Sequence, residues 1–226
     1  MQIKIFSSLL LSCFVVFTSC GPTVKNEAQD QAKRNQSASH KKDLSGLKVA
    51  TFASGCFWCM ENVFESVKGV EEAVSGYAGG KKENPTYEEV GSGTTGHAES
   101  VQVYYDSTKV DYLTLVKVYF ASENPTQVNG QGPDNGTQYR SIIFYNNNSE
   151  KEIAQRYINE LNKSGKLNGP VAAELTPYTK FWKAEEYHQD YIQHNPNDPY
   201  VQHESIPRAK KFQAKFPELI KPEKKY

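Results

Sequence analysis

The chain has 226 residues, of which 38% are hydrophobic and 12% aromatic, the composition of one ordinary soluble domain with some extra sequence attached. Its 26 basic and 26 acidic side chains cancel, so charge gives no reason to expect a nucleic-acid partner, which needs a clustered excess of Lys and Arg. A multi-pass membrane protein and a low-complexity chain are also excluded, since the 15 glycines and 11 prolines are too few for the latter.

The N-terminal residues 1–20 carry one charge, Lys4, followed by a mostly apolar run at 5–17. That run is too short to span a bilayer as a helix and fits the hydrophobic core of a secretory signal. The following Thr-Ser-Cys-Gly resembles a bacterial lipoprotein signal, in which cleavage leaves a lipid-bearing cysteine, here Cys20. We therefore expect an exported, membrane-anchored lipoprotein of the bacterial cell envelope. A plain secretory signal cut nearby, or an uncleaved anchor, is the alternative.

Residues 21–46 contain few apolar side chains and no aromatic ones, so they predict a disordered tether. The sequence changes character at Leu47, and residues 47–206 predict a single domain of normal size. Residues 207–226 hold seven basic and two acidic side chains and predict a basic, solvated tail with a short docked helix. Contact of this tail with anionic lipid headgroups is the alternative.

The predicted elements of the domain alternate between strands and helices. The apolar-rich run 48–53 predicts a strand that ends at a glycine turn, and the spacing in 57–68 predicts a helix with Glu61 and Glu65 on its polar face. A capping box formed by Ser149 and Glu152 predicts a later helix. Further strands are predicted at 99–106, 138–145 and 171–175, and a further helix at 111–120. This order predicts an α+β domain in which helices pack on a mixed sheet.

The predicted domain has two cysteines, Cys56 and Cys59, at the start of its first helix. Free backbone N–H groups and the positive helix end at Cys56 favour a thiolate, so Cys56 is predicted to be a nucleophile with a lowered pKa. Cys59, one turn further on, can attack a sulfur adduct on Cys56 and release it as a disulfide. The pair therefore predicts a redox cycle.

A zinc site and a static disulfide are the two alternatives to a redox cycle for this cysteine pair. A zinc site needs four ligands, and no second Cys-x-x-Cys or paired histidine spacing accompanies Cys56 and Cys59, so no metal is expected. A static disulfide in an exported protein remains an alternative, although a bridge between adjacent turns closes a very small loop and constrains little of the unfolded chain.

The run Gly55-Cys56-Phe57-Trp58-Cys59-Met60-Glu61 resembles the signature of the peptide methionine sulfoxide reductase A family. Other matches follow in that family's order: SGYAGG (75–80), NPTYEEV (84–90), TGHAE (95–99), GTQYRS (136–141) and FWKAEEYHQ (181–189). The resemblance implies a two-layer, mixed-sheet α+β fold related to the ferredoxin-like folds. It also implies reduction of the S epimer of methionine sulfoxide, free or in proteins, without a bound cofactor.

The chemistry of the cysteine pair agrees with this resemblance. A Cys56 thiolate attacks the sulfoxide sulfur while the oxygen gains a proton, which gives methionine and a sulfenic acid. Cys59 then condenses with the sulfenic acid to a disulfide, which an external thioredoxin-like dithiol must reduce. A general thiol-disulfide oxidoreductase and a non-enzymatic, ligand-binding lipoprotein are the rival functions. We expect a monomer with no nucleic-acid partner.

The resemblance also implies roles for individual side chains. Phe57 and Trp58 would form the apolar pocket for the S-methyl group, whereas packing in the core is the alternative. Tyr87 and Tyr139 match paired phenols that hydrogen-bond the sulfoxide oxygen, and Asp134 matches an acidic residue that positions the site.

Glu99 is predicted to be the acid. It shares a strand face with Val101 and Val103, so alternation points its carboxyl group toward an apolar layer, where desolvation raises the pKa. A surface glutamate at a strand end is the alternative.

The sequence departs from the family pattern in two places. Many family members carry a resolving cysteine in a C-terminal tail, but no cysteine follows Cys59 here, so Cys59 is expected to resolve. Pro133 stands where an asparagine is usual, next to Asp134.

Overall fold

The computed structural model describes residues 43–226. The predicted signal, Cys20 and all but the end of the predicted tether lie outside the described residues, so those expectations stay predictions. Among residues 43–226 no helix is long and apolar enough to cross a membrane.

Within the described residues the strands form one large mixed sheet and one small ribbon. In chain order they are β1 (Lys48–Ala53), β2 (Val70–Ala78), β3 (Ala98–Tyr105), β4 (Gly130–Gln131), β5 (Asp134–Asn135), β6 (Ile142–Tyr145), β7 (Glu174–Pro177) and β8 (Phe181–Lys183). The large sheet has the order β7-β6-β1-β3-β2-β8, and β4 pairs with β5 in the ribbon. Neighbours are antiparallel except β6 and β7. The predicted mixed-sheet α+β fold is confirmed.

The helices of the described chain are α1 (Phe57–Glu65), α2 (Tyr87–Gly91), α3 (Tyr112–Ala121), α4 (Asn148–Lys163), α5 (Tyr191–His194) and α6 (Ile206–Lys215). A π-helical turn, Val201–Ser205, leads directly into α6. Phe52 of β1 stacks on Phe64 of α1 at 5.0 Å and on Tyr119 of α3 at 5.4 Å between ring centroids. Because all three rings are fully buried, this stack fixes α1 and α3 on the central strands.

Some element boundaries differ from those that the sequence predicts. Asn147, two residues before Ser149, caps α4, since its side chain accepts the Glu150 N–H at 3.0 Å. The strand predicted from 138 begins at Ile142, because Thr137–Tyr139 forms a 3₁₀ turn. The strand predicted at 171–175 lies at Glu174–Pro177.

The last twenty residues are predicted to form a basic, solvated tail with a short docked helix; they contain the docked helix α6, but more of the segment is packed against the domain than its charge predicts. Residues 44–226 form one compact unit, in which Phe212 of α6 and Ile220 are fully buried. Backbone bonds tie the end of the chain to the end of α1, with Lys68 N–H donating to Leu219 O at 2.8 Å and Lys221 N–H to Ser66 O at 2.9 Å. The prediction of a solvated tail followed from the seven basic side chains, and this composition does not indicate that the few apolar side chains anchor the segment to the domain.

Other segments of the chain cover the polar face of α1. Glu61 is 3% exposed, accepts the Asp190 N–H and accepts the hydroxyl of Ser75. Glu65 accepts from Lys224 at 3.0 Å, so the C-terminal segment itself buries this side of the helix. Burial raises the pKa of Glu61 to about 8.

We therefore predict that Glu61 makes the fold less stable as pH rises. A carboxyl pKa raised in the folded state contributes stability that is complete below the unfolded value of about 4.5 and is lost as pH rises toward about 8. Glu61→Gln keeps the shape without the charge. Between about pH 5 and about pH 8 it should gain at least about 1.4 kcal/mol in unfolding free energy over wild type, the value of one pKa unit.

Urea denaturation at the two pH values measures this difference. The matched control is Glu152→Gln, an exposed glutamate of α4, which should follow the wild-type profile. Parallel profiles for Glu61→Gln and wild type would contradict the prediction.

Candidate active site

The turn between β1 and α1 places Cys56 at the helix start. Gly55 has φ +63°, and a Cβ there would lie 2.5 Å from the Gln131 side chain, so the turn requires glycine. The Gly55 N–H donates to Tyr139 O at 3.0 Å, which ties the turn to the 3₁₀ segment before β6. Cys56 is the N-cap of α1 in extended conformation. The sequence prediction of a strand, glycine turn and helix is confirmed.

Cys56 and Cys59 are both free and buried, at 6% and 2% exposure. The Cys59 Sγ lies 3.1 Å from the Ser205 Oγ and 4.0 Å from the Tyr200 hydroxyl oxygen. Among residues 43–226 no group of three or more His, Cys, Asp or Glu side chains could hold a metal ion.

The charges around the two thiols differ from the sequence expectation. Burial raises the pKa of Cys56, and neighbouring Cys59, Glu99 and Asp134 add to this increase. A hydrogen bond with Cys56 lowers the pKa of Cys59, helped by Arg208 and Ser205 against the effect of burial. The helix end at Cys56 therefore does not give it a lowered pKa in the reduced protein, because desolvation and negative neighbours outweigh it. The surroundings therefore favour a thiolate at Cys59 over one at Cys56.

Glu99 of β3 lies beside Cys56. Its carboxyl group is 2% exposed, and its Oε2 accepts the Phe57 N–H at 3.1 Å, the first helical N–H after Cys56. Burial raises the pKa of Glu99 to about 8, only partly opposed by the Phe57 hydrogen bond. The structure therefore holds a carboxylic acid that keeps its proton at neutral pH, and the exposed-glutamate alternative is wrong.

Aromatic side chains line the site on the α1 side. Phe57 is 1% exposed and stacks on Tyr87, with centroids 6.3 Å apart. Trp58 is half-buried, stacks on Tyr191 at 3.7 Å and donates its indole N–H to His188 Nδ1 at 3.2 Å. Phe57 thus lies deep in the core, whereas Trp58 lies nearer the surface of the site.

The other side chains that the sequence predicts for the site, Tyr87, Tyr139 and Asp134, lie around Glu99 and the two cysteines. Burial raises the pKa of Tyr87 and raises that of Tyr139 to about 12, and the negative charges of Glu99 and Cys56 add to both increases. Both phenols therefore stay protonated and can donate. The Asp134 carboxylate accepts the Cys56 backbone N–H and, at 2.5 Å, the Tyr200 hydroxyl.

Sequence reasoning missed several side chains at the site. Glu185 accepts the Tyr77 hydroxyl at 2.8 Å and the Tyr87 N–H at 3.0 Å, so it fixes the start of α2. His188 is held against Trp58, and burial lowers its pKa. Both lie in the motif at 181–189, which was the available signal. No sequence motif indicates Ser205 or Arg208, because these residues fall at or beyond the end of the predicted domain.

Comparisons with known proteins agree with this geometry. The model of the family "Peptide methionine sulfoxide reductase" matches residues 48–220. Peptide methionine sulfoxide reductase MsrA 2 of Mesorhizobium japonicum is 48% identical over 180 residues, which cover 79% of this chain and 92% of that protein.

Solved structures are also similar. Reduced Mxr1 from Saccharomyces cerevisiae aligns at TM-score 0.62 and 35% identity, over 70% of this chain and 90% of that one. Methionine sulfoxide reductase A of Corynebacterium diphtheriae aligns at TM-score 0.60 and 35% identity, over 67% and 76%. This chain therefore belongs to the peptide methionine sulfoxide reductase family.

Proposed function

We propose that this enzyme reduces the S epimer of methionine sulfoxide, free and in proteins, through a sulfenic acid on Cys56 and a Cys56–Cys59 disulfide. The observation that carries the proposal is the buried, protonated carboxyl group of Glu99 at the helix start that Cys56 caps. A thiol-disulfide exchange enzyme has no need for such an acid, whereas a sulfoxide oxygen leaves only after protonation.

The first step joins the nucleophile and the acid. Cys56 sulfur attacks the sulfoxide sulfur while Glu99 gives its proton to the oxygen, and Tyr87 and Tyr139 donate hydrogen bonds to that oxygen. The bond between the two sulfurs then breaks as the protonated oxygen passes from the substrate sulfur to Cys56 sulfur, so methionine leaves and Cys56 becomes a sulfenic acid. The proton lost by the Cys56 thiol replaces the one that Glu99 gave. The substrate sulfur gains two electrons and Cys56 sulfur loses two. Trp58 packs beside the S-methyl group, with Phe57 behind it supporting the wall of the pocket.

The second and third steps return the enzyme to its reduced state. Cys59 attacks Cys56 sulfur, the S–S bond forms, and the oxygen leaves as water. A thioredoxin-like dithiol then reduces the disulfide and takes over the two oxidising equivalents. Asp134 holds the Cys56 backbone N–H through this cycle. The enzyme works as an exported lipoprotein, anchored in the bacterial cell envelope through Cys20.

Replacing each cysteine separates the first two steps. Cys59→Ser should release about one methionine per enzyme and then stall with a thioredoxin-like reductant, because the sulfenic acid has no resolving thiol. Cys56→Ser should release none. Methionine counted in a single turnover, followed by steady-state turnover, checks both. Sustained wild-type turnover by Cys59→Ser would show that the reductant attacks the sulfenic acid directly.

Replacing Glu99 tests the acid. The single-turnover rate of the wild type should fall as pH rises through about 8, since the raised pKa of Glu99 sets where the proton is lost. Glu99→Gln still donates a hydrogen bond but has no proton to give. It should slow the first step on the order of a hundredfold to ten-thousandfold and abolish the alkaline limb. Rapid-quench pH profiles of methionine formation measure both effects.

The control for this experiment is Glu88→Gln, which removes the same charge from an exposed position on α2 and should retain the alkaline limb. A loss of less than about threefold in Glu99→Gln, below the range for a general acid, would assign the proton to the phenols or to solvent.

Replacing Cys20 tests the anchor. Cys20→Ser with the signal otherwise intact should move the protein from the membrane fraction to the soluble one with unchanged specific activity, since all the proposed catalytic residues lie between Cys56 and Tyr139. Fractionation after a high-salt wash, with wild type beside it, provides the measurement. Retention of Cys20→Ser in the washed membranes would refute lipid anchoring at this residue.

A further inference from the structure

The segment from Tyr200 to Arg208 brings three polar side chains, Tyr200, Ser205 and Arg208, into the surroundings of Cys59. Ser205 is 1% exposed, and its hydroxyl oxygen lies 3.1 Å from the Cys59 sulfur. The Tyr200 hydroxyl oxygen lies 4.0 Å from the same sulfur. The segment contains the π-helical turn Val201–Ser205, an uncommon conformation that costs backbone hydrogen-bond geometry and often marks a functional position.

Arg208 follows on the first turn of α6 and is half-buried. Two of its guanidinium nitrogens donate to Ser54 O at 3.2 Å each, and its Nε donates to Ser122 O. One guanidinium nitrogen also contacts the Met60 sulfur at 2.9 Å. The cation is thus fixed between the end of β1, the end of α3 and α1, the helix that carries Cys59.

We propose that Ser205 and Arg208 are positioning residues that hold the Cys59 sulfur as a thiolate for attack on the Cys56 sulfenic acid. This inference rests on the proposed function in that Cys59 resolves. In the step concerned, Cys59 sulfur supplies the electron pair for the new S–S bond, the S–O bond of Cys56 breaks, and the oxygen leaves with a proton as water. A thiolate is the attacking form, so a group that stabilises it raises the rate.

The charges around Cys59 support this assignment. The hydrogen bond with Cys56 is the largest effect that lowers the pKa of Cys59. The positive charge of Arg208 and the hydroxyls of Ser205 and Tyr200 lower it further, whereas burial raises it. The acidic groups that face the pair are Glu99 of β3, which keeps its proton near neutral pH, and Asp134 of β5. The Asp134 charge is engaged by the Tyr200 hydroxyl at 2.5 Å.

Further charged groups lie around the same cleft beside Cys59: Glu123, Glu204 and Lys211. The buried Glu123 carboxylate accepts hydroxyls from Ser54 and Ser141, and burial raises its pKa to about 7. Glu123 is therefore partly neutral near pH 7 and leaves much of the Arg208 charge to act on Cys59.

The test measures Cys59 ionisation directly. In full-length Cys56→Ser protein, the alkylation rate of the Cys59 peptide is followed against pH by mass spectrometry. Arg208→Gln should raise the pH midpoint of the Cys59 alkylation rate by about one unit or more from the wild-type pKa of about 6, which means about a tenfold loss of thiolate at pH values well below that midpoint and about a twofold loss near pH 7. Ser205→Ala should raise it in the same direction, and Arg208→Lys should restore much of the wild-type value. Lys211→Gln, an exposed cation on the same cleft, should leave it unchanged.

The same substitutions in protein with both cysteines locate the affected step. Arg208→Gln should leave the single-turnover methionine yield and rate within about twofold of wild type. At a pH well below the wild-type Cys59 midpoint it should slow disulfide formation about fivefold to tenfold, in proportion to the thiolate lost. An unchanged Cys59 midpoint in both Arg208→Gln and Ser205→Ala overturns the proposal. So does slower methionine formation with unchanged disulfide closure. If Arg208→Gln fails to fold, the Cys59 midpoints of Ser205→Ala and Arg208→Lys decide whether the proposal holds.

Failure of the proposed function gives a different result. If wild type forms no methionine from the sulfoxide, the catalytic proposal is wrong, whereas the Cys59 midpoints still report whether Ser205 and Arg208 stabilise its thiolate.

Discussion

The hydrogen bond from the Phe57 N–H to Glu99 organises the site. It joins the central strand β3 to the first turn of α1, and it places a buried carboxyl group beside the thiol that caps the helix. A helix N-terminus ordinarily favours an anion. Here burial outweighs that effect, and the pKa of Glu99 is raised to about 8 while that of Cys56 is also raised. Two neighbouring acids that both keep their protons suit a reaction in which an oxygen must be protonated.

The two cysteines of α1 lie in different surroundings although they are three residues apart. Cys56 is buried beside the acidic groups of Glu99 and Asp134, and burial together with these neighbours disfavours a thiolate there. Cys59 faces hydroxyls and a guanidinium from the C-terminal segment, which favour one. The helix therefore separates an acid side, where the sulfoxide oxygen needs a proton, from a side where a thiolate is stable. In this methionine sulfoxide reductase the division follows from which element covers each face of α1.

Much of the fold and the acid side could be predicted from the sequence. Apolar periodicity predicted β1, α1, β3 and α3, and alternation along β3 predicted that Glu99 points into an apolar layer. Local patterns failed where a distant segment decided the outcome. Glu61 looked exposed because a helix pattern shows only which residues share a face, and the loop at Asp190 and the end of the chain cover that face. Composition could not reveal that one of seven basic residues, Arg208, turns inward.

The geometry of the helix start bears on how a disulfide can close between neighbouring turns. Within a regular helix such a bridge would distort the ladder of backbone bonds. Cys56, however, is the N-cap, with φ −60° and ψ 125°, and so lies outside the helix proper. The first bond of the ladder, from Met60 N–H to Cys56 O, is long at 3.4 Å. Closing the bridge therefore moves a residue whose backbone is already extended and whose helical hydrogen bond is long. In the proposed cycle, a resolving cysteine three residues on needs no movement of the C-terminal segment, so Ser205 of that segment can keep its contact with Cys59 while the bridge closes.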